Sequence, residues 1–289
     1  MIRAALLVLL ATATPALADT CPALFADGRV PVLVNDKLAA RTDFLCFDAF
    51  AVLHSALTRT PLYSAEHLTR ASVADARAVA RDDSFHEETR LPPDGRARLE
   101  DYVRSGFDRG HLAPAGDMPT LDAQAQSFSL ANIVPQDRTE NRGIWSDIEE
   151  GVRRYATRHG SVYVVTGVIF SGGSVRQIGG GVLVPTQMFK AILDPATGEA
   201  GAYLIGNDGG KGWRGVSVED LQALSGIDVF PGLAPAARMR AMTLPDPHAS
   251  GGTGARRPSR SEESWQAWAT REFYRLARKV LRDVLRSIL

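Results

Sequence analysis

The sequence predicts an α+β chain, and three observations carry that expectation. Val162 to Phe170 and Gly181 to Leu193 are rich in β-branched and aromatic residues and look like neighbouring strands of a sheet. From about Thr139 to Thr157 the apolar residues Ile144, Trp145, Ile148, Val152 and Tyr155 recur at three- and four-residue steps, the signature of an amphipathic helix. At 289 residues and 45% apolar content, the chain is long enough to bury a full core as one large domain or two small ones.

Taken in order, the chain opens with an export signal. Arg3 precedes an apolar run from Ala4 to about Ala11, and small residues at Ala16 and Ala18 fit cleavage after residue 18. The run is about half the ~20 residues that a membrane span needs. The expected destination is the periplasm or the exterior. Export to an oxidising compartment would let the two cysteines, Cys21 and Cys46, pair and staple the mature N-terminus. Residues 19–250 form the expected main domain.

Leu45 to Leu57 and Ala65 to Ala80 carry apolar runs with helix-type spacing. Ser171 to Gly180, rich in glycine and serine, fits a mobile connection between the two strands. Val218 to Ser225 suits a short helix with Gly226 as its C-terminal stop. Residues 251–261 (GGTGARRPSRS) read as a linker. Residues 262–289 read as an amphipathic basic helix, with Phe273, Leu276, Val280, Val284 and Ile288 on one side and Arg271, Arg275, Arg278, Arg282 and Arg286 on the other. That helix could dock on the domain, on a second copy in a homodimer, on a membrane surface or along nucleic-acid phosphates.

Charge adds a restriction. Lysine plus arginine equals aspartate plus glutamate at 33 each. No global excess of positive charge marks a high-affinity nucleic-acid binder, so any basic surface is local.

The most informative stretch is Asp108-Arg109-Gly110-His111, followed by Asn132 and then by Asn141, Trp145 and Glu149. Phosphodiester hydrolysis needs a base for water, positive charge on the phosphoryl oxygens and help for the leaving alkoxide. His111 titrates near neutrality and suits the base. Arg109, two residues away on an extended segment, shares its face and can pair with phosphate through a planar fork. Asn141 and Glu149 would share one face of the expected helix, about 12 Å apart along its axis at ~1.5 Å per residue. Magnesium takes oxygen ligands and keeps several waters, so Asn141 can bind it directly while Glu149 holds a metal-bound water. On the four-residue fragment alone, a surface ion pair of Asp108 with Arg109 and a satisfied core histidine fit as well. Trp145 continues the apolar stripe and reads as core. Asn132 alone reads as a turn former.

In order and spacing, DRGHLAPAGD, SFSLANIVPQ and the N-R-G-I-W-S-D-I-E segment resemble the DNA/RNA non-specific endonucleases, which are ββα-metal (His-Me finger) nucleases. Further matching blocks are RTPLYSAEHL at 59–68, RDDSFHEE at 81–88, VYVVTG at 162–167, VPTQMFK at 184–190 and LSGIDVFPGL at 224–233, so the likeness covers roughly residues 40–235. The resemblance implies a ββα-metal core within a layered, mixed sheet-and-helix domain, and cleavage of DNA and RNA with one Mg²⁺ for which Mn²⁺ can substitute. By position it implies His111 as general base, Asn141 as direct metal ligand, Glu149 as the acid on a metal-bound water, and Asn132 as the residue that arranges the site. Arg109 then sits beside the base, Arg81 stabilises phosphate charge and Asp108 holds the turn. Ala131 replaces a serine that many relatives carry. Two other function classes stay open: a phosphodiesterase of the same fold with a non-nucleic-acid substrate, and a catalytically silent nucleic-acid-binding protein.

Overall fold

The structure, a computed structural model, describes residues 21–173, 175–210 and 212–248. The expected signal, linker and C-terminal helix lie outside these residues. Chain order is β1 (Val32–Leu33), β2 (Thr42–Cys46), β3 (Phe50–Ser55), β4 (Thr60–Thr69), α1 (Arg70–Ala78), β5 (Asp108–His111), α2 (Leu121–Ser127), β6 (Ile133–Gln136), α3 (Arg138–Arg142), α4 (Ile144–His159), β7 (Ser161–Ile169), β8 (Gln177–Ile178), β9 (Val182–Leu183), β10 (Gln187–Asp194), β11 (Glu199–Gly206), β12 (Trp213–Val216), α5 (Val218–Ser225) and β13 (Ile227–Asp228).

Seven strands form one antiparallel sheet in the order β12-β11-β10-β7-β4-β3-β2. Helices cover both faces. Along β7, Val162, Val164 and Val168 join the cluster beneath α4, while Tyr163, Val165 and Ile169 join the cluster beneath α5. This alternation with apolar residues on both sides explains why β7 reads as a nearly unbroken hydrophobic run. The expected neighbours are β7 and β10, which pair directly, with Ile192 opposite Val164. β10 begins only at Gln187, because Val182 and Leu183 are drawn into a separate hairpin with β8. The 171–180 segment, expected to be a mobile connection, therefore contains strand β8.

The same two-sided burial misleads the reading of residues 45–57. They form the β2–β3 hairpin, in which Leu45 faces Val52, instead of a helix. Phe50 and Val52 enter one cluster and Ala51 another, so the apolar positions fit helical and strand spacing alike. Residues 65–80 divide at Thr69, where β4 ends and a capping box starts α1: Ser72 N donates to Thr69 Oγ1 (3.0 Å) and Thr69 N to Ser72 Oγ (2.9 Å). The expected helix at 139–157 is broken as well. α3 and α4 meet at Gly143, where a Cβ would stand 2.8 Å from the Thr139 carbonyl oxygen. Ile144, Trp145, Ile148, Val152 and Tyr155 of α4 all enter the core, as their spacing predicts.

α5 spans the predicted residues. Ser217 caps it through Asp220 N (3.1 Å), and Gly226 closes it at φ 73°, a left-handed conformation that favours glycine. Cys21 and Cys46 form a disulfide with Cα atoms 6.0 Å apart, tying the N-terminal segment to edge strand β2. Outside the large sheet, β5 and β6 pair antiparallel, with Asp108 opposite Gln136 and His111 opposite Ile133. A small apolar cluster that includes Tyr102, Ile133, Ile178 and Val182, with Phe85 and Phe107 against it, supports this pair.

Candidate active site

Alternation along β5 sends Asp108 and Gly110 to one face and Arg109 and His111 to the other. Gly110 is required by packing, since a Cβ there would lie 2.6 Å from Gln136 Cβ. Asp108 fastens α3 to the strand. It accepts a forked pair of hydrogen bonds from Arg142 (Nε 2.7 Å, Nη2 2.8 Å) and one from Asn141 Nδ2 (3.2 Å), with Arg138 Nε at 3.4 Å. Burial alone would raise its pKa, but these hydrogen bonds and charges hold the carboxylate below its ordinary range. The Asp108–Arg109 ion pair that the fragment allowed is replaced by this one. With its amide nitrogen committed to Asp108, Asn141 keeps Oδ1 free of protein donors among the described residues.

On the other face the His111 ring meets Phe128 edge to face (centroids 5.0 Å) and Phe85 at a tilt (5.4 Å). Its Nε2 is buried without a hydrogen-bond partner. Burial, then the charges of Arg81 and Arg109, push its pKa down to about 3, so the imidazole is neutral throughout the physiological range. Arg109 lies 4.2 Å over the Phe85 ring, and Arg81 lies 5.3 Å over Phe128 while pairing with Asp83 (2.7 Å). The histidine thus sits between two guanidiniums held on aromatic faces.

Asn132 stands behind this face, fully buried. Its Oδ1 accepts from Ala113 N (3.0 Å) and Ser64 Oγ (2.7 Å), and its Nδ2 donates to Ala113 O (2.8 Å) and Ser127 O (3.0 Å). All four bonding positions are engaged within the protein, so Asn132 is a positioning residue that ties the loop after His111 to β4.

Sequence reasoning missed a buried charge cluster beneath the site. Ser64, Thr166 and Lys190 occupy one row across β4, β7 and β10. Lys190 Nζ donates to Thr166 Oγ1 (2.6 Å) and to the carbonyl of Leu112 (3.4 Å), the residue after His111, and lies 5.4 Å from the Trp145 ring centre. Arg153 pairs with buried Asp117 at 2.7 Å. Glu66 is buried with neither carboxylate oxygen hydrogen-bonded; burial first, and then Asp117, push its pKa well up. Glu149 lies at the edge of this cluster. Burial outweighs the positive charges of Lys190 and Arg153 and pushes it up to about 7. Arg81 acts on both His111 and Glu149, which links the cluster to the strand face. The available signal was Lys190 itself, a charge in the middle of a strand flanked by Phe189 and Ala191.

Among the described residues no group of three or more His, Cys, Asp or Glu side chains could hold a metal. The free Asn141 Oδ1 and the Glu149 carboxylate, which lacks a protein hydrogen bond among the described residues, are hard oxygen donors. They fit an ion that retains most of its waters. The break at Gly143 replaces the separation expected for one continuous helix.

Residues 34–236 match the family model described as DNA/RNA non-specific endonuclease. The chain belongs to this family. Among curated relatives, the mitochondrial nuclease EXOG of Homo sapiens is 32% identical over 215 residues, covering 66% of this chain and 58% of its own length. Nuclease C1 of Cunninghamella echinulata var. echinulata is 37% identical over 173 residues, 56% of this chain and 69% of that protein. A chain from the crystal structure of an EndoG/EndoGI complex superposes with a TM-score of 0.60 at 26% identity, over 68% of this chain and 88% of that chain. The fold is therefore that of the ββα-metal nucleases, with β5, β6 and the α3–α4 pair as its ββα unit.

Proposed function

We propose that this member of the non-specific endonuclease family is a secreted, Mg²⁺-dependent enzyme that hydrolyses phosphodiester bonds of DNA and RNA. The observation that carries the reading is the double use of β5: one face presents a neutral His111 between Arg81 and Arg109, and the other fixes Asn141 through Asp108.

In this reading His111 takes a proton from the attacking water as oxygen bonds to phosphorus and the bond to the leaving alkoxide breaks. Arg109 forks onto the non-bridging oxygens, and Arg81 adds charge from beside Phe128. Asn141 Oδ1 would hold the ion directly and Glu149 one of its waters. A bound magnesium ion would supply Lewis-acid charge for the phosphoryl and leaving oxygens, with Mn²⁺ as a substitute. Because Asn141 is uncharged, little of that positive charge would be neutralised.

Export is part of the proposal. It rests on the N-terminal run ending at Ala18 and is consistent with the Cys21–Cys46 bridge. A mature protein beginning at Asp19, read by N-terminal sequencing of the exported material, is the expected outcome. The deciding assay is incubation with plasmid DNA and with RNA, with and without EDTA. Cleavage of both, abolished by EDTA, is expected; an inert protein at saturating Mg²⁺ overturns the reading.

A further inference from the structure

We propose that Arg176 is a substrate-contacting residue that holds a phosphate neighbouring the scissile one, an inference that rests on the nuclease reading above. Arg109 and His111 share one face of β5, and Phe107, the residue just before the strand, packs against the same apolar cluster as Phe85. That Arg109 and His111 both contact Phe85 shows the shared face directly. Arg176 lies 4.9 Å over the Phe107 ring, so its guanidinium stands at the end of β5 away from His111.

Three features fit this position to a backbone anion. Arg176 is exposed and, like Arg109 and unlike Arg81, has no carboxylate partner among the described residues. Stacking on an aromatic face fixes the guanidinium plane while leaving its N–H edge for an outside acceptor. The segment that carries it is anchored: Val184 N donates to Arg176 O (2.8 Å), Gly180 N to Asp101 Oδ1 (2.6 Å) and Arg59 Nη1 to Gly180 O (2.7 Å). Ile178 and Val182 beside it share the apolar cluster against which Phe107 packs. The cation is thus built against β5 by a separate hairpin, and a polymer lying along this face meets two unneutralised arginines in succession.

The test compares wild type, Arg176→Gln and Arg176→Lys in the full chain. KM for DNA should rise about five- to tenfold in Arg176→Gln with kcat retained. The slope of log(kcat/KM) against log[salt] should become shallower by about 0.9, the amount expected for one lost phosphate contact. Arg176→Lys should keep the wild-type slope. An unchanged KM and slope in Arg176→Gln, or a loss carried by kcat alone, overturns the assignment. Fluorescence anisotropy of a labelled DNA oligonucleotide, measured in a His111→Ala background with and without Arg176→Gln, reads the same contact without turnover. Failure of the wild type to cleave DNA or RNA therefore sinks the nuclease reading, while this binding comparison still decides the fate of Arg176.

Discussion

Two charge assemblies lie on either side of the loop that follows His111, and they are built by opposite rules. On the outer face, Arg109 rests on Phe85 without a carboxylate partner, and the buried imidazole stays neutral between guanidiniums. Beneath the loop, buried Lys190 and half-buried Arg153 lie among Thr166, Asp117, Glu66 and Glu149. The outer set leaves positive charge unspent for a ligand, whereas in the inner set Lys190 is spent on the Leu112 carbonyl and Thr166, and Arg153 on Asp117. Desolvation penalises unpaired ions steeply, so the exposed arginine stays charged without a carboxylate partner while burial favours the neutral form of Glu66 and Glu149. In the proposed reading the difference separates groups that act on substrate from groups that hold the fold, with Glu149 at the border of the two.

Substitutions can break that separation. The largest effect belongs to His111→Ala, which should lower kcat about 10²- to 10⁴-fold while circular dichroism still reports a folded chain. Full activity would remove His111 as the base. Next is Lys190→Met, which deletes the donor to Leu112 and Thr166 and should cost about 3 kcal/mol in urea unfolding. A change below about 0.5 kcal/mol would make the inner set dispensable. Arg109→Gln should do the reverse, reducing kcat/KM about tenfold or more with unfolding free energy nearly unchanged.

The smallest effect is a difference in the sign of pH dependence. His111 is held down to about 3 from an ordinary 6.5, so acidification protonates it in the unfolded chain first and its contribution to stability is lost as pH falls below 6.5. Glu66 is raised, so its contribution is present at low pH and is lost as pH rises above the ordinary value of 4.5, where the unfolded chain ionises first. Tm profiles should therefore flatten on the acid side in His111→Gln and on the neutral side in Glu66→Gln. His54, also held down to about 4 by burial, adds to the acid-side loss in every variant, so the variant-minus-wild-type difference is the quantity to read. Parallel profiles would show that the two assemblies do not differ in this way.

Much of this was legible in the residues. The α4 stripe and the α5 stop at Gly226 follow from local pattern, the adjacency of β7 and β10 from two apolar runs that follow one another in the chain, and the pairing of the two cysteines from a simple count. The β2–β3 hairpin was not legible, since Phe50, Ala51 and Val52 are buried on both faces and erase the alternation that marks a strand. Asp108's partner could not be read either. Arg109 is its chain neighbour, but strand geometry turns the two side chains to opposite faces, and Arg142 reaches it from α3. Lys190 was hidden for a related reason: its partners, Leu112 and Thr166, are 78 and 24 residues away.

Gly143 gives the candidate metal ligands independent suspension. α3, with Asn141, is hung on β5 through Asp108; α4, with Glu149, is bolted to the sheet through Trp145 and Ile148. The two candidate oxygen donors are therefore placed by different parts of the fold, Asn141 by the small β5–β6 pair and Glu149 by the large sheet.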